Sequence, residues 1–449
     1  MTRQRARSSA AAGFAWLAVL LLGPVLIGRF FEVHDWEWGR QRCALLAAAA
    51  VLVLVARPSA SAFLRSRAAA AVLWAAALVA LGLDARSGLQ SVSLAASTGE
   101  IRLDQGQNTL RAARLLLRGE DPYAQGQLLD LEAWFTRAPQ RAQAGLVTLH
   151  PRFAHGLAGR WWSSLDPSAR AALVPPAPAG NAAAARERSL YGYKYGPLLP
   201  LLTAPAQALA GAAAVPALQL FWWAALLVLL ALCLRAGAAD PAVVALVLLC
   251  LSLEPNLARN ALYYSASDIW ALALMAGALL AFLHRRPVAL GLCVAAAVSC
   301  KLLPSLLLLP MLFVQERRGR LTAPLVACAG VVALFGPFVA ADPAGFWANV
   351  VIWPSAMQPD NTHWSFYASA AVRSAVRAFC GLAIAAGAVA LVARQRRMPA
   401  GWFRYLAASS AALVLGGVAF HNNYVPWFTV WALGSASAIA QAPAASGNR

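Results

Sequence analysis

Of the 37 basic side chains in this 449-residue chain, only Lys194 and Lys301 are lysine, and all the others are arginine. A composition so biased supplies arginine wherever plain charge suffices. The two ammoniums are therefore candidates for meeting a phosphate as compact point charges, with chance usage as the competing account. Lys301 falls inside the apolar stretch 287–314, where an unpaired charge is costly. Asp104 opens the segment DQGQNTLRAARLLLRGEDPY, which ends at Tyr123. A carboxylate there either caps an amphipathic helix or acts as a general base toward a sugar hydroxyl. Asp121-Pro122-Tyr123 is first of all a turn, because proline disfavours helix at the residue before it. Tyr191, Tyr193, Lys194 and Tyr195 close the same polar segment, and Asp268, Asp360, His363 and His421 occupy other polar breaks. From these, Asp121, Tyr123, Tyr193, Tyr195, Asp268 and His421 are taken as substrate-binding candidates. Asp35 and Glu37 in FEVHDWEWGR form a second acidic pair, which Trp36 and Trp38 also explain as an interfacial anchor. The runs from Asn361 to Trp364 and from His421 to Tyr424 either bond a sugar or satisfy helix ends.

The elements that must position these groups follow from composition. The chain is 60% hydrophobic and 12% charged, with mean hydropathy +0.60, whereas soluble domains carry about 25% charged residues. The expectation is an all-α polytopic membrane protein, one domain over 1–449. Apolar segments long enough for helices lie near 13–29, 43–56, 68–83, 197–213, 215–235, 241–254, 268–284, 287–301, 302–314, 321–341, 375–393, 401–420 and 425–441. Arginines cluster between them at 3–7, 57–67, 285–286, 317–320 and 394–397. This is the positive-inside pattern, so the net charge of +19 reports orientation and not nucleic acid. With those clusters in the cytoplasm, 84–196 becomes a large outer loop. It carries amphipathic, membrane-lying helices over 104–118 and 124–170, anchored by Trp134, Phe135, Trp161 and Trp162, and a Pro/Ala-rich connector at 171–188. The breaks at 30–42, 255–267, 342–370 and 421–424, and Lys301, face the same side. An odd number of crossings must separate residue 196 from Arg285, so one of four candidates does not span. Pro197, Pro200 and Pro205 single out 197–213. About twelve crossings remain.

The seven cysteines lie in or beside apolar segments without a C-x-x-C, and no D-x-D occurs in an outer break. Neither a disulfide framework nor a metal-bound diphosphate donor is expected, and the site is read as using no metal and no cofactor.

The order D-x14-G-E-D-P-Y in the large outer loop, Y-x-Y-G-P-L-x-P at 193–200 and K-L-L-P at 301–304 resembles glycosyltransferase family 87. These are C-type membrane glycosyltransferases of the polyprenyl-phosphate-mannose-dependent mannosyltransferase kind. The resemblance covers most of the chain from about 100 to 430. It implies an outer-face cavity that accepts a polyprenyl-phosphate sugar, an early outer-loop aspartate as base at the position of Asp104, and Lys301 with Lys194 at the donor phosphate. It implies inverting transfer to a lipid or glycan acceptor among the membrane lipids of the inner (plasma) membrane, with no nucleotide sugar. Two departures stand out. Tyr264 to Asp268 reads YSASD where members often carry G-Q-x-N, and Asn108 stands where a tyrosine is often found. The competing readings are a transporter or flippase for a lipid-linked or anionic solute, which predicts inverted repeats that are not visible in the sequence, and a non-catalytic assembly subunit.

The arginine distribution predicts that cysteines introduced at positions 130 and 396 react with an impermeant maleimide from opposite sides of the membrane. Labelling of both from one side overturns the topology.

Overall fold

The computed structural model describes residues 67–99, 101, 104–123, 166–168, 193–314, 319–352, 363–394, 399–417 and 424–440. The helices expected at 13–29 and 43–56, most of 124–170 and the connector at 171–188 lie outside the described residues. Among those described, every regular element is helical.

Helix α1, Arg67–Thr98, runs 32 residues, about 48 Å at 1.5 Å per residue. The expected apolar segment, 68–83, is only its first half. The helix passes through Asp84 because Ser252 donates a hydrogen bond to that carboxylate at 2.5 Å. It stops at Gly99, whose φ of +75° is the left-handed conformation common after a helix C-terminus. Helix α2, Asp104–Leu117, is the amphipathic helix expected in the outer loop. It packs on α3, Leu198–Ala210.

Gly211, with φ +58°, breaks the chain before α4, Ala214–Ala236. The amide of Leu198 at the start of α3 bonds to Ser299 at the end of α8. Gln219, in the second turn of α4, donates to the Ser265 carbonyl at 3.1 Å just before α7. The start of α3 and the second turn of α4 thus lie against the turns next to Lys301 and Asp268.

Helix α5, Pro241–Leu253, is followed by α6, Pro255–Ala258, and a π turn at Arg259–Tyr263, with a bend of 64°. The break is built by Glu254-Pro255. Proline is suited to a first helical position, and the buried Glu254 carboxylate accepts from the Asn256 and Leu257 amides at 3.1 and 2.8 Å. Helices α7, Asp268–Leu283, and α8, Pro287–Val298, form the centre. α7 is packed by α4 and α8, and nearly all of its side chains are buried. The chain continues through α9, Leu302–Ser305, and α10, Leu309–Phe313, then α11, Gly319–Ala341, which packs along α8. The short α12, Pro343–Trp347, and a second π turn, Ala348–Ile352, precede α13, Ala370–Arg394, α14, Pro399–Leu415, and α15, Val425–Ala440.

The outer faces of α1, α11 and α13 expose large aliphatic and aromatic groups, among them Val79, Leu325, Val332, Phe379 and Val389. Buried Asn, Gln, Ser and Thr side chains sit inside. Apolar surface outward is the arrangement of a protein solvated by lipid. Four helices among the described residues are long and apolar enough to cross a membrane, or five if the bent pair of α5 and α6 counts as one span.

The remaining helices are shorter, which has a geometric consequence. With 16 and 12 residues, α7 and α8 rise only about 24 and 18 Å, less than the ~30 Å hydrocarbon thickness. The turn between them carries Arg285 and Arg286, and Asp268 and Lys301 stand together at the other end of the pair.

Candidate functional site

Two of the motifs, a hundred residues apart in sequence, form one piece of structure. The amides of Gly196 and Leu198 donate to the carbonyls of Cys300 and Ser299 at 3.2 and 3.1 Å, so the Tyr193–Pro197 strap lies against the turn that presents Lys301. The approach needs a glycine. A Cβ at position 196 would stand 2.0 Å from the Ser299 carbonyl oxygen.

Lys301 has extended backbone and precedes α9. Its ammonium is bonded to Asp268 Oδ1 at 2.5 Å, with the two side chains only 13% and 5% exposed. Trp427 Nε1 on α15 donates to the same oxygen at 2.6 Å. Asp268 is the first residue of α7, where the helix dipole also favours a carboxylate. The Tyr195 ring carries both lysines, with Lys194 Nζ at 5.6 Å and Lys301 Nζ at 5.8 Å from its centroid, within range for cation–π attraction.

Helix α2 is docked beside this cluster by Gln105. Its Oε1 accepts from the Ser267 amide and hydroxyl, both at 3.1 Å, immediately before Asp268. Asp104, the first residue of α2, is thereby adjacent in the chain to a residue that touches the Asp268 turn. The Asp104 side chain lies outside the described residues, as do Asp35, Glu37, Tyr191, Asp360 and His421.

Beneath the strap is an aromatic layer. Tyr123 is fully buried, and its hydroxyl donates to the Tyr195 carbonyl at 2.8 Å. Its amide donates to Asp121 Oδ1 at 2.8 Å, and its carbonyl accepts from Asn349 at 2.9 Å. Tyr193 packs edge-on against it at 5.5 Å and its hydroxyl donates to the Gly196 carbonyl at 3.4 Å. Burial pushes both phenols well above the usual tyrosine range. They are neutral pillars that set the height of Tyr195. The carboxyl of Asp121, half-buried, is raised by desolvation and by nearby Asp342, against the opposing Tyr123 amide. Glu120 instead faces solvent in an exposed pair with Arg118.

His363 belongs to a helix end. Its Nε2 donates to the Val414 carbonyl at 2.8 Å, and Nδ1 accepts from the Ser365 amide at 3.2 Å. Trp364 donates to the Leu415 carbonyl and Arg377 to that of Gly416. Three carbonyls at the end of α14 thus accept from the 363–377 segment, and that of Val414 takes the Gly417 amide as well.

Sequence reasoning passed over Gln105, Glu254 and Trp427. The signal for Glu254 was its proline neighbour inside an apolar run; Gln105 and Trp427 act through contacts 162 and 159 residues away, which no local pattern marks.

Residues 193–420, half of the chain, match the family model of glycosyltransferase family 87. No curated protein and no solved structure matches.

Gly196→Ala is expected to destabilise the protein by about 1–3 kcal/mol, as overpacking does, because the obstructing atom is backbone and cannot rotate away. A thermal-unfolding scan in detergent checks this. A melting temperature equal to wild type means the strap does not hold the lysine turn.

Proposed function

The chain belongs to glycosyltransferase family 87, and on that premise we propose that it moves a sugar from a polyprenyl-phosphate donor to an acceptor at the extracytoplasmic face of the inner membrane. The observation that carries the reading is Lys301, a largely buried ammonium in an apolar bundle, at the shared end of two short helices, with a second ammonium on the same tyrosine ring. A cation at that depth is reached by the phosphate of a lipid more readily than by a soluble nucleotide sugar. The family resemblance adds a mannose-like sugar and a lipid or glycan acceptor.

The reaction is a single inverting displacement. Asp104 takes the proton of an acceptor hydroxyl, the acceptor oxygen forms its bond to the anomeric carbon, and the bond from that carbon to the phosphate oxygen breaks. Its electron pair stays on the phosphate, and polyprenyl phosphate leaves. Lys301 meets the charge that develops there, a contribution of ~3 kcal/mol for one well-placed donor. Tyr195, held from below by Tyr123, keeps both ammoniums at one height, and Gln105 fixes the end of α2 from which Asp104 acts.

Purified protein in nanodiscs, given radiolabelled polyprenyl-phosphate sugars and a membrane-lipid extract, is expected to transfer label to an acceptor. No transfer with any donor, together with movement of the lipid across the bilayer, would favour a flippase. In the same assay Asp104→Asn should retain donor binding and lose roughly 10²–10⁴-fold in turnover, the worth of a positioned acid–base group, while Asp35→Asn stays near wild type. The reverse order transfers the base to the first loop. Lys301→Met should abolish transfer and weaken donor binding, with Lys301→Arg keeping part of both. Unchanged donor affinity in Lys301→Met removes the phosphate role.

A further inference from the structure

We propose that Asp268 makes the site release its product: its carboxylate is the counter-charge that stops Lys301 from holding a doubly charged lipid phosphate, so that a phosphodiester donor binds and the phosphomonoester leaving group departs. The inference rests on the reading of Lys301 as the cation that meets the donor phosphate.

An ammonium has three donors and no acceptor. One donor of Lys301 is committed to Asp268 Oδ1, and the ammonium faces the Tyr195 ring. The carboxylate is itself held in place. The same oxygen accepts from Trp427 Nε1, the group stands in the first turn of α7, and it is 5% exposed. A ligand phosphate could take Asp268 away from Lys301 only by leaving a buried carboxylate with one donor fewer, which is costly. What a ligand meets at Lys301 is therefore an ion pair of net charge zero with N–H donors to offer, and the excess positive charge at the Tyr195 ring is that of Lys194 alone.

The reaction changes the charge of the lipid phosphate. The donor is a phosphodiester with one negative charge. Cleavage of the sugar–oxygen bond leaves a phosphomonoester, whose second ionisation lies near pH 6, so that it carries close to two charges at neutral pH. Coulomb energy is proportional to charge. The repulsion from Asp268 acts once on the donor and twice on the product. Without it the product would gain the square of the factor that the donor gains, so the preference of Lys301 for product over donor would rise by that factor. A purely mechanical role for Asp268, pinning α7 to the lysine turn and to α15, would alter both ligands by one common factor.

The test compares two prenyl lipids of equal chain length, a phosphomonoester and a methyl phosphodiester, binding to the full-length protein in nanodiscs at pH 8. Asp268→Asn keeps an oxygen that accepts from both Lys301 and Trp427. It is expected to tighten the diester about tenfold and the monoester about a hundredfold, to lower donor KM, and to slow kcat through product inhibition. Asp268→Glu should restore the wild-type ratio of the two affinities. An equal factor for both lipids, or weaker binding of both, overturns the proposal. If the variants do not fold, a Lys194→Met protein, which lacks the second ammonium, decides between prenyl sulfate, with one charge, and prenyl phosphate, with nearly two. The two should bind within about threefold of each other, and phosphate tighter by tenfold or more overturns the proposal. If Lys301→Met leaves every affinity unchanged, the donor-phosphate reading itself has failed and the proposal falls with it. If Lys301→Met weakens both lipids while Asp268→Asn shows no dependence on ligand charge, only the role of Asp268 is lost.

Discussion

The cost of placing a charge in an apolar bundle governs this structure. Lys301 lies where water is scarce, and an ammonium there must be paired and hydrogen-bonded. The pairing group comes from the start of α7, Asp268, and the carboxylate is satisfied in turn by an indole from α15, Trp427. One oxygen atom thereby ties the start of α7, the turn after α8 and the start of α15. The strap at 193–198 completes the enclosure, because its own amides have no helix to join and find the carbonyls of Ser299 and Cys300 instead. Charge compensation and backbone satisfaction converge on the same turn.

The same rule explains the irregular backbone around the site. A helix that ends within the membrane thickness leaves polar groups that neither lipid nor water satisfies. At the α5–α6 bend the amides are capped by the Glu254 carboxylate, and at the end of α14 the carbonyls are capped by His363, Trp364 and Arg377. His363 and Trp364 look like sugar ligands in a linear reading because they sit in a polar break between apolar runs. Their partners are backbone groups at a helix end, as those of Glu254 are at the α5–α6 bend.

Much of this was legible in the sequence. The helical membrane character follows from composition and needs no partner. The rarity of lysine picked out Lys194 and Lys301, and the structure brings both to one ring. The prolines at 197–213 predict a segment that does not cross; in the structure Gly211 interrupts it, and with the helix that follows it forms one apolar stretch long enough to span. The roles of the tyrosines were not legible. Tyr123 and Tyr193 have the residue type of sugar-stacking groups, yet both are buried, and only the Tyr123 hydrogen bond to the Tyr195 carbonyl and the Tyr193 ring contact with Tyr195 reveal that they support it. Asp268 was visible as a polar group at an outer helix end. That its partner is Lys301, 33 residues later, depends on how α7 and α8 fold back on each other.

That last point separates two kinds of information. Residue type tells what a group can do, and helix periodicity tells which element carries it; the distance between two charges is set by the length of the helices between them. Residues 268 and 301 are joined by a hairpin with one long arm and one short. The arms differ by four residues, about 6 Å of rise. The shorter arm is completed by a tight turn: Ser299 keeps helical angles, and the amides of Ser299, Cys300 and Lys301 bond back to the carbonyls of Ala295 and Ala297. Lys301 is the residue at which the chain becomes extended and leaves that turn, and its side chain reaches the Asp268 carboxylate. The turn also leaves the carbonyls of Ser299 and Cys300 outside the helix, where they accept the amides of the strap that carries Lys194 and Tyr195. That one turn both places the ammonium beside its carboxylate and opens the seat for the second lysine.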